Sequence, residues 1–285
     1  MIEVLRATCP QIQPLEVWDV KFKGGPSWKR LGALAVAGSG RDGRSVAREA
    51  LQFGRELEVG APDSILCFSG GLTRLEGFRQ FMNEFSSQSM VLSSDRKVLA
   101  GGGLILEGLG RGDDAALVAD VGQTQIKIGV VDGGRVSGRV WRFDRPWDRL
   151  PVQDCGADDF PSTRLQDQHI DRLVEFVGQA IEKCLRETEI QVTTLILALP
   201  CELGEDLVPG PCSYGDWSQA PDLLRRILDS IKAPLRSVIA LNDAELAGYA
   251  VLDRCSEQED WRDCLVITLG FGPGAAYVRS EVVDG

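Results

Sequence analysis

Between Ala115 and Phe143 the chain runs through three short apolar stretches separated by polar punctuation: Ala115 to Asp120, Ile126 to Asp132 and Arg135 to Phe143. Asp132-Gly133-Gly134 forms a tight-turn signal between the last two, so a β-meander is predicted. Farther on, Leu173, Val177, Ile181 and Leu185 recur at four-residue steps and define an amphipathic helix. The unbroken run Thr194 to Leu199 reads as a buried strand, Ala220 to Ile231 as a helix, Ser237 to Leu241 as a strand and Ala244 to Leu252 as a helix. The order β-β-β-α-β-α-β-α describes one α/β domain with a mixed sheet.

The two ends of the chain supply the remaining elements. Cys264 to Leu269 and Ala275 to Val283 make a hairpin around a glycine-rich turn. Near the N-terminus, Leu15 to Phe22 reads as a strand, Val46 to Leu57 as a helix capped by Ser45, and Ser64 to Phe68 as a strand. Thr73-Arg74-Leu75-Glu76 has the form of a capping box opening a helix from Leu75 to Phe85. Met90 to Ser93 is a further strand and Val98 to Leu109 a closing helix. Counting the C-terminal hairpin before the N-terminal segment regenerates the same order. One domain is therefore expected over 111–261, and a second from 1–110 together with 262–285.

A chain of 285 residues suits two domains of ordinary size, with a cleft expected between them. Its formal net charge of -11 is spread along the sequence, which argues against nucleic acid as a partner. Eight cysteines without C-x-x-C spacing point to reduced, mostly buried thiols. No stretch approaches the length of a membrane span, so a soluble cytoplasmic protein is expected, without a membrane partner. His169 is the only histidine, which disfavours a histidine-activated nucleophile or a zinc centre.

Three glycine-bearing loops follow strand-like runs: Ser69-Gly70-Gly71-Leu72-Thr73, Asp120-Val121-Gly122-Gln123-Thr124 and Gly270-Phe271-Gly272-Pro273-Gly274. Glycine lets a backbone approach phosphate oxygens and turn its N–H groups toward them. Asp120, at a strand end, is placed to face Mg2+ through water. Gly122, Gln123 and Thr124, with Lys127, are candidates for the β- and γ-phosphates, although Lys127 also reads as a solvated strand residue. Gly270, Gly272 and Gly274, with Gly70 and Gly71, would bring two further loops toward the same nucleotide. Asp243 follows a strand and opens a helix, a position from which a carboxylate can accept a proton from a substrate hydroxyl. Asn242 or Asp243 would equally serve as the helix cap.

Four segments carry a resemblance to a known family. The run from Asp120 to Asp132 (DVGQTQIKIGVVD) resembles the first phosphate loop of the actin-like ATPase and sugar kinase superfamily, especially its ROK-type, glucokinase-like branch. LNDAELAGY (Leu241 to Tyr249) is similar to the segment carrying that branch's catalytic aspartate, LGFGPGAA (Leu269 to Ala276) to the second phosphate loop, and FSGGLTRLEGF (Phe68 to Phe78) to the adenosine loop. The resemblance covers nearly the whole chain in circularly permuted order. It implies two actin-like, ribonuclease H-like domains with mixed sheets, ATP and Mg2+ as cofactors, catalysis by Asp243, and phosphoryl transfer to a hydroxyl of a small molecule of the sugar class. Asn242, Ser213 and Asp216 are the implied substrate contacts, with Trp217 a matching aromatic; Ser213, Asp216 and Trp217 also read as loop polar residues and a core ring.

The chain departs from the family in lacking a Glu-x-Gly-His element and a cysteine-rich zinc motif. Phe271 stands where threonine is usual, and Gln123 where glycine is usual. Two alternatives therefore stay open: a catalytically weak nucleotide-binding regulator, and a phosphohydrolase acting on nucleotide or polyphosphate. A homodimer in which residues 1–110 complete a neighbouring protomer's domain is also left open.

Overall fold

The computed structural model describes residues 2–15, 42–57, 64–85, 89–92, 94–122, 124–146, 167–212, 215–216, 220–255, 262–270 and 273–280. It has the expected α/β class, with two units that each carry a mixed sheet. Met1–Ala7 and Gly102–Asp243 make the first; Thr8–Gly101 and Ala244–Gly285 make the second. The units therefore divide at 7/8, 101/102 and 243/244, whereas the sequence pattern places the divisions near 110 and 261.

In the first unit the strands are β1 (Glu3–Arg6), β5 (Ala116–Val121), β6 (Gln125–Asp132), β7 (Arg135–Asp144), β8 (Thr194–Leu199) and β11 (Ser237–Asn242). Their spatial order is β1-β11-β8-β5-β6-β7. All six residues of β5 and of β8 are buried, the reason these strands read as continuous apolar runs rather than alternating ones. Gly133 and Gly134 both adopt positive φ (53° and 73°), the paired left-handed turn that joins twisted antiparallel strands. Helix α5 (Asp167–Glu187) buries Leu173, Val177 and Ile181 and packs against α6 (Leu223–Ser230), a helix shorter than the apolar run from Ala220 to Ile231. The strand Glu3–Arg6 is not anticipated by pattern: only four residues long, it pairs in parallel with β11, Glu3 opposite Ser237.

The second unit orders its strands β2-β13-β12-β3-β4: Ile12–Leu15, Pro273–Val278, Cys264–Leu269, Ile65–Ser69 and Ser89–Val91. The N-terminal strand does join the hairpin's sheet, with Leu15 opposite Ala275 and Ile12 opposite Val278. It lies earlier than expected; 16–41, most of the anticipated Leu15 to Phe22, fall outside the described residues, as does the hairpin's anticipated end at 281–283. Val46, Phe53, Phe68, Phe78 and Met82 pack on Leu66, Leu265 and Ile267 to form the core between this sheet and helices α1 (Gly43–Leu57) and α2 (Phe78–Phe85). Phe68 and Phe78 meet edge to face with ring centroids 6.1 Å apart.

Three further helix boundaries depart from the sequence pattern. Asp42 rather than Ser45 caps α1, its Oδ1 accepting the Arg44 N–H at 3.0 Å. The segment read as a capping box is a 3-10 turn, Gly71–Arg74, whose Thr73 hydroxyl donates back to the Gly70 carbonyl at 2.8 Å; helix α2 starts only at Phe78. The closing helix is two helices, α3 (Asp95–Leu99) and α4 (Gly101–Gly108), the first capped by Ser94. In α4 a Cβ at Gly102 would lie 2.5 Å from Val118, and one at Gly103 would lie 2.7 Å from the Gly134 carbonyl, so both glycines are set by close approach.

Asp263 fastens the end of the hairpin. Its Oδ2 accepts the Tyr277 hydroxyl at 2.8 Å, and its Oδ1 accepts the Ser280 N–H at 2.8 Å and hydroxyl at 2.9 Å. Partial burial works against the charged form, but the Ser280 and Tyr277 hydrogen bonds outweigh it and hold the carboxyl below its usual range. A depressed folded-state pKa contributes stability that is present above the unfolded value and lost as pH falls through the folded one. Wild-type melting temperature should therefore fall more steeply than that of Asp263→Asn on acidification below about pH 4. Parallel slopes in thermal scans would remove the clasp from the acid response.

Candidate functional site

In the first unit the sheet register assembles a polar row. Asp120 of β5 lies opposite Lys127 of β6, and Lys127 lies opposite Arg142 of β7. Residues directly opposed across antiparallel strands share a face, so the three side chains belong to one face of the sheet. Gly102 of α4 packs over Val118 two residues before Asp120, on that same face, and the apolar cover gives way to charge at the strand ends. Lys127 Nζ donates to Asp120 Oδ2 at 2.6 Å, with the two side chains 17% and 12% exposed. Asp120 therefore already has a cationic partner, and Lys127 is a paired residue rather than a freely solvated one.

The turn after Asp120 is built on its own backbone. Gly122 N–H donates to the Gln125 carbonyl at 3.1 Å, where a Cβ would stand 3.0 Å from that oxygen. Thr124 is exposed, and its carbonyl accepts the Arg145 N–H at 3.0 Å. Gln123 lies outside the described residues. One pleat beyond the charged row, Gln125 Nε2 donates to Asp144 Oδ1 at 2.7 Å. Arg142 and Asp144 escape a reading of the sequence, because register alone makes them neighbours of the Asp120 loop.

Asn242 ends β11 and Asp243 opens α7 (Asp243–Cys255). The Asn242 amide donates to the Cys201 carbonyl at 2.8 Å and to the Leu199 carbonyl at 3.5 Å, tying the end of β11 to the exit of β8. That engagement gives Asn242 a structural role beside the substrate role the family likeness implies. Asp243 is half-buried at the first position of a helix whose residues 244–252 are all buried. Asp216 lies in the short strand β10 (Gly215–Asp216), opposite Pro211 of β9 (Pro211–Cys212). Ser213 and Trp217 lie outside the described residues.

The second unit carries the other two glycine loops. Gly70, at φ 96°, would place a Cβ 2.5 Å from the Leu269 carbonyl, so no other residue fits there without a shift of backbone. Gly71 opens the 3-10 turn, and a Cβ there would meet nothing within 4 Å. Gly270 is exposed at the end of β12. The Gly274 N–H donates to the Thr268 hydroxyl at 3.1 Å, so a phosphate held there would have to compete with an internal acceptor. Gly272 and Phe271 lie outside the described residues.

Among the described residues no group of three or more His, Cys, Asp or Glu side chains is placed to hold a metal ion, and no helix is long and apolar enough to cross a membrane. No protein-family model matches the chain, and no curated protein matches it. Solved structures do resemble it in backbone. The ethanolamine utilization protein EutJ from Carboxydothermus hydrogenoformans matches at 11% identity, with 74% of this chain and 76% of that one covered and a TM-score of 0.44. The PPX-GPPA enzyme of Aquifex aeolicus matches at 13% identity over 54% of this chain and 44% of that one, TM-score 0.31. A glucokinase from Parabacteroides distasonis matches at 19% identity over 59% and 44%, TM-score 0.32. The chain spans less than half the length of the latter two.

The two adjacent loop glycines should respond oppositely to a methyl group. Gly70→Ala is expected to cost about 1–3 kcal/mol through positive φ and the clash with Leu269. Gly71→Ala should stay within about 0.5 kcal/mol of wild type. Chemical denaturation midpoints compare the two; equal losses would mean that Gly70 is not held as described.

Proposed function

We propose that the chain is an ATP- and Mg2+-dependent phosphotransferase acting on a hydroxyl of a small molecule, a sugar-kinase-like protein of the actin-like class and its ROK-type branch. The observation that carries this reading is a shared strand order. With β1 set aside, β7-β6-β5-β8-β11 in one unit and β2-β13-β12-β3-β4 in the other each run as an antiparallel hairpin and edge followed by parallel strands. Asp120 leaves the central strand of the first sheet into its glycine turn, and Leu269 leaves the central strand of the second into Gly270. The same order arises from continuous chain in one unit and from both chain ends in the other, which supports circular permutation.

In this reading Asp120 would hold Mg2+, and the ion would neutralise charge on the transferring phosphate. Asp120 fits as a carboxylate at a strand end; its bond to Lys127 fits if Lys127 turns from the carboxylate to a phosphate oxygen as nucleotide enters. Gly122, Gln123 and Thr124 offer backbone N–H groups and a hydroxyl to the β- and γ-phosphates. Gly270, Gly272, Gly274, Gly70 and Gly71 are assigned to the remaining phosphate and adenosine contacts. Asp243 takes the proton of the acceptor hydroxyl, with Asn242, Ser213 and Asp216 nearest the acceptor in the family pattern. The partner is a small acceptor, without nucleic acid or membrane, and the setting is the cytoplasm.

Three contacts favour a second reading, a nucleotide-binding regulator of low turnover: Asp120, Asn242 and the Gly274 amide are each engaged internally. Millimolar ATP with Mg2+ should raise the melting temperature by mass action, and ADP release should be stimulated by one of a panel of sugars. Asp243→Asn should then lower turnover on the order of a hundredfold while keeping ATP affinity. Release without any acceptor would mean a hydrolase, binding without release a regulator, and neither would end the nucleotide reading. For the permutation, joining Gly285 to Met1 through a glycine-serine linker and opening the chain between Gly110 and Ala115 should give a protein of similar stability; an unfolded product would count against it.

A further inference from the structure

The sheet of the second unit ends in a pair of buried hydroxyls. Ser69 is the last residue of β3 and lies opposite Thr268 of β12 in their parallel pairing, so the two side chains share one row and one face. Gly274 of β13 stands opposite Thr268 on its other flank and adds no side chain to that row. Ser69 is 1% exposed and Thr268 8%. Just beyond them Gly70 backs onto the Leu269 carbonyl, where a Cβ would stand 2.5 Å away, so the two strand ends are held close.

Hydrogen bonding in this row is one-sided. Thr268 Oγ1 accepts the Gly274 N–H at 3.1 Å, and among the described residues nothing accepts the proton of the Thr268 hydroxyl. The Ser69 hydroxyl makes no hydrogen bond among them, to Thr268 or to any other group. The other buried serines and threonines are all engaged: Ser64 with Tyr277, Thr73 with the Gly70 carbonyl, and Thr194 with Ser237. Burying a hydroxyl is unfavourable unless a partner replaces the water it loses, so the exception calls for one. The row offers two O–H donors and contains no carboxylate to take them. One acceptor oxygen fits between them by dimension. Neighbouring strands lie about 4.8 Å apart, and an oxygen accepting two O–H···O bonds of about 2.7 Å bridges that gap.

We propose that Ser69 and Thr268 form a phosphoryl-binding hydroxyl pair, donating jointly to one oxygen of the polyphosphate of a bound nucleotide. The inference rests on the nucleotide reading of the glycine loops and adds two side chains to it. A phosphoryl oxygen suits the pair because it accepts several hydrogen bonds and donates none, and because bonds to a charged acceptor are about twice as strong as neutral ones. The pair also gives two loops a common ligand, since Ser69 immediately precedes Gly70 and Thr268 stands two residues before Gly270.

Calorimetric titration of the full chain with MgATP and with magnesium tripolyphosphate tests the pair. Ser69→Ala and Thr268→Val should each weaken both ligands about tenfold, and Thr268→Ser should restore them. A second readout needs no ligand. Ser69→Ala removes a buried donor that has no partner, so its denaturation midpoint should equal or exceed that of wild type. Thr268→Val takes the acceptor from the Gly274 N–H and should lower the midpoint. Ser69→Ala binding both ligands as tightly as wild type would overturn the hydroxyl pair and leave the nucleotide reading standing, whereas a wild type that binds neither ligand would remove both. A loss confined to MgATP would assign the hydroxyls to the nucleoside and overturn the phosphoryl contact. A lowered midpoint for unliganded Ser69→Ala would give Ser69 an internal partner and overturn the proposal too.

Discussion

Strand β12 can be satisfied only by partners from elsewhere in the chain, and the second unit depends on that constraint. Its six residues are all buried, so the N–H and C=O groups on both of its edges need protein partners. Pro273–Val278 covers one edge from the same hairpin; Ile65–Ser69 covers the other in parallel, from the opposite end of the sequence. The hairpin's outer edge is then taken by Ile12–Leu15, and the Gln11 amide reaches the Arg279 carbonyl 268 positions away. Closing so long a separation costs little more than closing a moderate one, because the entropy grows only with the logarithm of length. Burying Leu265, Ile267 and Ala275 with Phe53, Phe68 and Phe78 supplies the offsetting gain.

The parts of this fold that were legible in the sequence share a physical origin. Thr194–Leu199 and Cys264–Leu269 coincide with their apolar runs, since a strand buried on both faces excludes polar residues until it ends. Gly133 and Gly134 announce their turn because few other residues accept paired positive φ. Glu3–Arg6 is different. Its first two residues are exposed, and it owes its strand geometry to β11 rather than to any pattern of its own. Thr73 shows the same competition locally: a short hydroxyl side chain can cap a helix or bond backward to its own turn, and the left-handed Gly70 decides for the turn.

Within the candidate site the sequence locates residues but not what they touch. Asp120 and Lys127 are seven positions apart, a spacing that carries no contact information until the hairpin register sets them opposite each other. An anion placed among these groups meets a lysine that is already neutralising a carboxylate, so its binding is an exchange of partners rather than the filling of an unpaired site. Such an exchange lowers the net gain from binding but makes it depend on charge: a ligand that brings its own cation satisfies Asp120 as it takes Lys127. A free anion leaves the carboxylate partly desolvated and unpaired.

Helix α7 has an unusual composition for a helix that bears a charged residue at its start. Residues 244–252 are buried all round, so Ala244, Ala247, Gly248 and Ala250 are small on more than one side, and the hydrophobic stripe expected of a surface helix is absent. Gly101 meets it on one flank, where a Cβ would stand 2.6 Å from the Leu246 carbonyl, and Ile12 and Val278 meet it at Gly248. Neighbours that close leave the helix little freedom to shift or tilt. Asp243 is the half-buried first residue of this fixed element, following an Asn242 whose amide is held by two carbonyls. An anchored strand end therefore fixes the backbone on which Asp243 follows, before the buried run of the helix begins.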